Sequence, residues 1–132
     1  MNAPAKGFFI FGCLNAALAI ALGAAGAHAL KAQLAATDPG GWFATAVQYH
    51  QIHSLGLILL SLAMNALPAS RWFAWSGWLM VLGMALFCGG LYALSLAGVR
   101  FVSGGIPAGG LAFIFAWLLL AVGGLRLPGR QP

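Results

Sequence analysis

Histidine is the residue type in this sequence with the broadest chemical capacity, and the chain has three: His28, His50 and His53. Imidazole is the commonest protein ligand for metal ions. His50 and His53 are three residues apart, which places both rings on one face of a helix. Together with the hydroxyl of Tyr92, the three histidines form a candidate binding site for a metal ion, haem or a small polar molecule.

A second interpretation is that the histidines hydrogen-bond between helices or to backbone carbonyls. No carboxylate accompanies them in the apolar stretches, and their spacing matches no established metal motif. The sequence therefore favours hydrogen bonding and predicts neither a metal ion nor a cofactor. Five polar residues of one stretch also fall within an arc of about 120° on a helical wheel, so we expect them to face protein or a water-filled cavity: His50, His53, Ser54, Ser61 and Asn65.

Other catalytic chemistry lacks its residues. The only acidic side chain is Asp38, which lies in a turn segment, so no Ser/His/Asp triad or intramembrane carboxylate can be assembled. The glycine pairs at 40–41 and 104–105 have no following Lys-Ser/Thr, which a phosphate-binding loop requires. Cys88 is expected to be a small core residue. We therefore expect that the protein is not an enzyme.

Composition explains where these polar residues must be held. The chain has 132 residues, of which 62% are hydrophobic and only 5% are charged. Soluble domains are about one quarter charged, whereas a helix that spans a membrane needs about 20 mostly apolar residues. Four stretches meet that length, at residues 8–30, 43–67, 72–97 and 106–125. The sequence predicts a single all-α domain over residues 1–132, an integral membrane four-helix bundle whose main partner is the lipid bilayer.

The positions of the positive charges predict the orientation. The net charge is +5, but the cations are scattered singly, unlike the clustered cations of nucleic-acid-binding proteins, so no nucleic-acid partner is expected. Positive residues concentrate in cytoplasmic segments. With four crossings, one side carries four cations and the other two, which predicts that both termini are cytoplasmic: Lys6, Arg71, Arg126 and Arg130 against Lys31 and Arg100.

Small residues recur at helical spacing in the predicted spans. Membrane helices associate through such residues because they let backbones approach closely. We expect a compact left-handed bundle that packs through Gly12, Ala16, Gly23 and Gly26 of the first span, Gly83 and Gly90 of the third, and Gly109 of the fourth. Further small-residue faces would suit a membrane-protein partner or a homo-oligomer.

The first span has one competing interpretation. Lys6, an apolar stretch and Ala27-His28-Ala29 together look like a secretory signal with a cleavage site. The apolar stretch is longer than the usual signal core of about 7–15 residues and carries regularly spaced small residues. A membrane span is therefore the favoured interpretation.

Several segments resemble one family in order along the chain. They are GAAGAHAL at 23–30, TAVQYHQIHSL at 45–55, LFCGGLY at 86–92 and IPAGGLAF at 106–113. Together they resemble the YwdK/YgdD-like family of small four-helix membrane proteins, a domain-of-unknown-function family. Cys88 and Gly89 stand where the family pattern has serines or Ser-Gly. The resemblance implies a bacterial inner-membrane protein with four spans, and it supplies no catalytic site.

The expected function is thus an integral inner-membrane protein with a structural or accessory role. The alternative is a small binding or transport protein that uses the histidine cluster on the outer side of the membrane.

Overall fold

The computed structural model describes residues 1–99 and 104–128, and all regular structure in those ranges is helical. The prediction of an all-α fold is confirmed. For the second, third and fourth predicted stretches, both ends agree with the observed helical segments to within one residue. The first helix begins five residues earlier than predicted and ends three residues earlier. The helices are α1 (Ala3–Ala27), α2 (Lys31–Thr37), α3 (Trp42–Ala66), α4 (Arg71–Gly83), a π-helical turn (Met84–Cys88), α5 (Gly89–Ala97) and α6 (Gly105–Leu125).

Side-chain caps define where α1 and α3 begin. The Asn2 side chain accepts a hydrogen bond from the backbone N–H of Ala5 at 2.9 Å. Before α3, the two carboxylate oxygens of Asp38 accept the N–H groups of Trp42 and Phe43, each at 2.9 Å. The first N–H groups of a helix have no partner within the helix, so these side chains stabilise both starts.

In the described part of the chain, three helical segments are long and apolar enough to cross a membrane: Ala3–Ala27, Arg71–Ala97 and Gly105–Leu125. The segment Arg71–Ala97 is continuous because the π-helical turn joins α4 to α5 without a break. The helix α3 matches α1 in length, at 25 residues. It is less apolar because it carries the buried polar residues His50, His53, Ser54 and Ser61.

The helices form two close pairs, α1 with α3 and α4 with α6. Glycines allow the close approach in both. A Cβ at Gly12 of α1 would lie 2.9 Å from the carbonyl oxygen of Ser54 in α3. A Cβ at Gly109 of α6 would lie 2.5 Å from the backbone nitrogen of Phe87, in the π-helical turn that continues α4. Larger side chains join the pairs, since the Phe8 ring covers Gly77 in α4.

Three more of the small residues predicted to pack lie against side chains of a neighbouring helix. Gly23 faces Val47, Gly26 faces the Phe43 ring and Gly83 faces the Phe113 ring. Gly90 is buried, and Ala16 is half-buried. The core between the pairs is formed mainly by large apolar side chains: Phe8, Leu57, Leu60, Phe73, Met80, Met84 and Phe113.

Candidate functional site

His50 lies at the centre of a hydrogen-bonded chain that joins three helices. Its Nε2 is 3.0 Å from Oδ1 of Asn15 in α1, and its Nδ1 is 3.3 Å from the hydroxyl of Tyr92 in α5. The Asn15 amide nitrogen donates to the carbonyl of Phe11 at 2.9 Å, so its oxygen must be the atom that faces His50. His50 therefore donates from Nε2, and its Nδ1 accepts from Tyr92.

His53 is held by a second set of contacts, within α3 and with α6. Its Nδ1 donates to the carbonyl of Tyr49 at 2.7 Å, and its Nε2 accepts the indole N–H of Trp117 in α6 at 3.2 Å. An indole can only donate, so the acceptor nitrogen must carry a lone pair and the ring is neutral. The ring also stacks on Phe113, with 3.4 Å between centroids and 15° between planes.

The two histidines together connect α3 to α1, to α6 and to the continuous segment formed by α4 and α5. His50 reaches α1 through Asn15 and α5 through Tyr92, while His53 reaches α6 through Trp117. All four ring nitrogens have protein partners. In a bundle surrounded by lipid, such polar contacts fix which helix faces meet.

Other buried polar side chains, the serine hydroxyls, donate hydrogen bonds to backbone carbonyls. The Ser54 hydroxyl donates to the carbonyl of His50 at 2.7 Å, and Ser61 donates to Ile58 at 2.6 Å. In the other helix pair, the Ser76 hydroxyl donates across to the carbonyl of Ala116 at 2.8 Å. Within residues 1–99 and 104–128, no buried side-chain nitrogen or oxygen lacks a partner.

Two expectations about the polar residues are wrong. His28 is exposed at the C-terminal cap of α1, 13 residues beyond Asn15, which corresponds to about 20 Å along the helix. It therefore does not share a site with His50. Asn65 is exposed, whereas the other four residues of the polar stripe are buried as expected. Ligand binding at His50, His53 and Tyr92 stays a prediction.

Cavities lie on both sides of the histidine-bearing helix. One of about 250 Å³ lies between α1 and the segment of α4 and α5, and Asn15, His50, Cys88 and Tyr92 are among its lining residues. Another of about 410 Å³ lies between α3 and α6 and is lined mostly by rings, including His53. Among the described residues, no three His, Cys, Asp or Glu side chains are grouped so that they could hold a metal ion.

Two partners of the histidines were harder to foresee. Asn15 is not among the candidates from sequence, although an amide within an apolar span is itself a signal for an internal partner. Trp117 lies within the fourth predicted span, where an indole N–H needs an acceptor. The acceptor is His53, although the Trp117 side chain is 40% exposed.

These features define a class of protein. The chain is a small α-helical integral membrane protein in which buried His50, His53 and Ser76 side chains bond one helix to another. Residues 22–110 match the family model described as protein of unknown function DUF423. The chain belongs to this family, as the sequence resemblance indicated.

Its relatives are named as membrane proteins. The chain is 38% identical over 121 residues to the UPF0382 membrane protein YwdK of Bacillus subtilis, covering 92% of this chain and 98% of that one. It is 38% identical over 118 residues to the UPF0382 inner membrane protein YgdD of Escherichia coli, covering 89% of this chain and 88% of that one. No solved structure matches significantly. The family assignment thus supports an integral membrane protein and provides no biochemical role.

Proposed function

We propose that this protein is a non-enzymatic component of the bacterial inner membrane with a structural or accessory role. The observation that carries this proposal is the use of the histidine lone pairs. His50 accepts from Tyr92 and His53 accepts from Trp117, each from a different helix. A general base or metal ligand needs that lone pair directed at its substrate or ion. Here both lone pairs serve contacts between helices.

The proposed topology has four crossings, with α3 as the second. A polar stripe buried within the bundle is compatible with a membrane helix, since only the remaining face must contact lipid. The guanidinium groups of Arg71 and Arg126 both lie over the Trp72 ring, at 5.1 and 5.0 Å, which brings the start of α4 beside the end of α6. Lys6 is near the start of α1, at the same end of the bundle. This concentration of positive charge supports cytoplasmic termini.

Reporter fusions test the topology. Green fluorescent protein at either terminus should fluoresce, and alkaline phosphatase at either terminus should be inactive, because both reporters would be cytoplasmic. Phosphatase inserted after Gln33 of α2 should be active. Active phosphatase at the C terminus would contradict the proposed orientation, and active phosphatase after Pro68 would contradict a crossing by α3.

Substitution of His50 tests the structural role. In a strain that lacks the native gene, His50→Ala should lower the membrane abundance of the protein, and any loss-of-function phenotype should follow abundance and be rescued by higher expression. His28→Ala is the matched control, because His28 is exposed and bonds only through its backbone. Loss of function by His50→Ala at unchanged abundance would contradict a purely structural histidine.

The second candidate function is binding of a small polar ligand, haem or metal ion. The cavity of about 250 Å³ lined in part by Asn15, His50, Cys88 and Tyr92 favours it, because these residues bring amide, imidazole, thiol and hydroxyl groups to one cavity. A ligand on His50 would have to replace the hydrogen bond from Tyr92. Stoichiometric metal or haem in protein purified from membranes, lost on His50→Ala, would support binding over the structural role.

A further inference from the structure

Two glutamine side chains of α3 lack a hydrogen-bond partner among residues 1–99 and 104–128. Gln48 and Gln51 are both exposed, and neither amide hydrogen-bonds to a described residue, although the neighbouring side chains of His50 and His53 do. Trp42 is the first residue of α3. Counted from there, Gln48 is six residues and Gln51 nine residues along, which corresponds to roughly 9 and 14 Å along the helix axis. A hydrocarbon core is about 30 Å thick, so both amides would lie well inside it. An amide in contact with lipid at that depth is costly.

The exposed face that carries Gln48 has the spacing of a coiled-coil seam. From Gln48 onward, its residues follow one another at intervals of four and three, which keeps one line of side chains facing a partner helix. The large apolar members are all exposed, with Leu55 at 56% and Leu59 at 63%. The seam consists of Gln48, Ile52, Leu55, Leu59, Leu62 and Ala66.

The exposed faces of the other long helices lack unpartnered amides. Beyond Lys6 in the first turn of α1, the large exposed side chains of α1 and α6 are apolar, as suits contact with lipid. Asn15 of α1 is already bonded to His50. Asn65 is exposed too, but it lies one residue from the end of α3, where water is close. Among the described surfaces, it is therefore the seam on α3, with Gln51 beside it, at which contact with lipid would leave amide groups unsatisfied inside the membrane.

We propose that this seam binds the same seam of a second copy, forming a parallel α3–α3 contact in a homodimer. The inference rests on the proposed crossing of α3. Two copies inserted in the same orientation are related by a two-fold axis along the membrane normal, so Gln48 meets Gln48 at equal depth. An amide both donates and accepts, so the pair is self-complementary. A polar residue at one seam position also fixes register and orientation in parallel coiled coils.

Cysteine cross-linking in native membranes tests the contact. The full chain is used with Cys13→Ala, since Cys13 is exposed and Cys88 is buried. Leu55→Cys should give a disulfide-linked dimer on oxidation by copper phenanthroline. Ile114→Cys on α6 is the matched control, because Ile114 and Leu55 are equally exposed at 56%. The control should give no disulfide-linked dimer.

The glutamines are tested by fluorescence energy transfer between labelled copies in liposomes. Replacing both with leucine should weaken dimerisation by roughly 3- to 30-fold, the range expected for hydrogen bonds between membrane helices. Gln48→Asn alone should preserve most of it.

Equal cross-linking at positions 55 and 114, no cross-link at 55, or undiminished energy transfer without the glutamines would each overturn the dimer. A cross-link from position 55 only to another protein would overturn it as well. Failure of the topology test would instead remove the proposed crossing on which it rests.

Discussion

Replacement of Tyr92 by phenylalanine removes one hydroxyl from the chain of hydrogen bonds through His50. The ring would keep its edge-on contact with Phe43, at 5.2 Å between centroids, so packing changes little. The loss is confined to the hydrogen bond of 3.3 Å, which leaves Nδ1 of His50 without a donor. That nitrogen belongs to a buried side chain, so water cannot readily replace the hydroxyl.

The expected cost follows from two limits. Hydrogen bonds between membrane helices contribute about 0.6 kcal/mol on average and up to about 1.7 kcal/mol. Leaving a buried polar group unsatisfied costs about 1–3 kcal/mol. Since the distance is long for a hydrogen bond from a hydroxyl, we expect Tyr92→Phe to lower the free energy of unfolding by about 1 kcal/mol.

Unfolding in mixed micelles of increasing dodecyl sulfate content, followed by circular dichroism, measures this difference. Tyr49→Phe is the matched control, because Tyr49 is exposed and its hydroxyl bonds to no described residue. It should change the free energy of unfolding by less than about 0.5 kcal/mol. In a double-mutant cycle, Tyr92→Phe should cost much less once His50→Leu is present. Equal effects of the two tyrosine substitutions, or full additivity with His50→Leu, would refute the reasoning.

Three further predictions concern glycine packing, a helix cap and a hydrogen bond between helices, and the same unfolding assay measures each of them. Gly109→Ala should cost about 1–3 kcal/mol, because its Cβ would lie 2.5 Å from the Phe87 backbone nitrogen. Gly124→Ala, with no atom within 4 Å of its Cβ, should cost nothing, and equal loss at both glycines would contradict close packing of α6 on the π-helical turn. Asp38→Ala should cost about 0.5–2 kcal/mol by uncapping α3, and an unchanged midpoint would show that the cap is not stabilising. Ser76→Ala should cost about 1 kcal/mol through loss of its bond to α6, and a gain in stability would contradict that bond.

The long helices of the fold could be predicted because lipid imposes a length and a composition. The turn segment that begins with Asp38 marked the start of α3 to within one residue. The short helix α2 was missed, although its residues Lys31–Thr37 are mostly good helix formers. The π-helical turn Met84–Cys88 has no sequence signal that we recognise. Gly83 and Gly89 flank it, and the backbone of both is helical.

The polar network was predictable in kind but not in its partners. The helical wheel placed His50 and His53 inside the bundle, and both are buried. It could not separate the rings, which face different helices, because the arc of one helix does not reveal where its neighbours are. His28 was grouped with His50 and His53 because all three were predicted to lie toward the same side of the membrane. A shared side does not fix depth, and His28 is about 20 Å along α1 from Asn15, the residue that bonds to His50.

The protonation states of the histidine rings test the central claim most directly. Solid-state NMR of ¹⁵N-labelled full-length protein in bilayers distinguishes the two neutral tautomers from the cationic and metal-bound forms. We expect His50 to be protonated only at Nε2 and His53 only at Nδ1, because these are the neutral forms that satisfy Asn15, Tyr92 and Trp117 together. A cationic or metal-bound ring at either position, or the opposite tautomer, would contradict the account that these histidines serve to join helices.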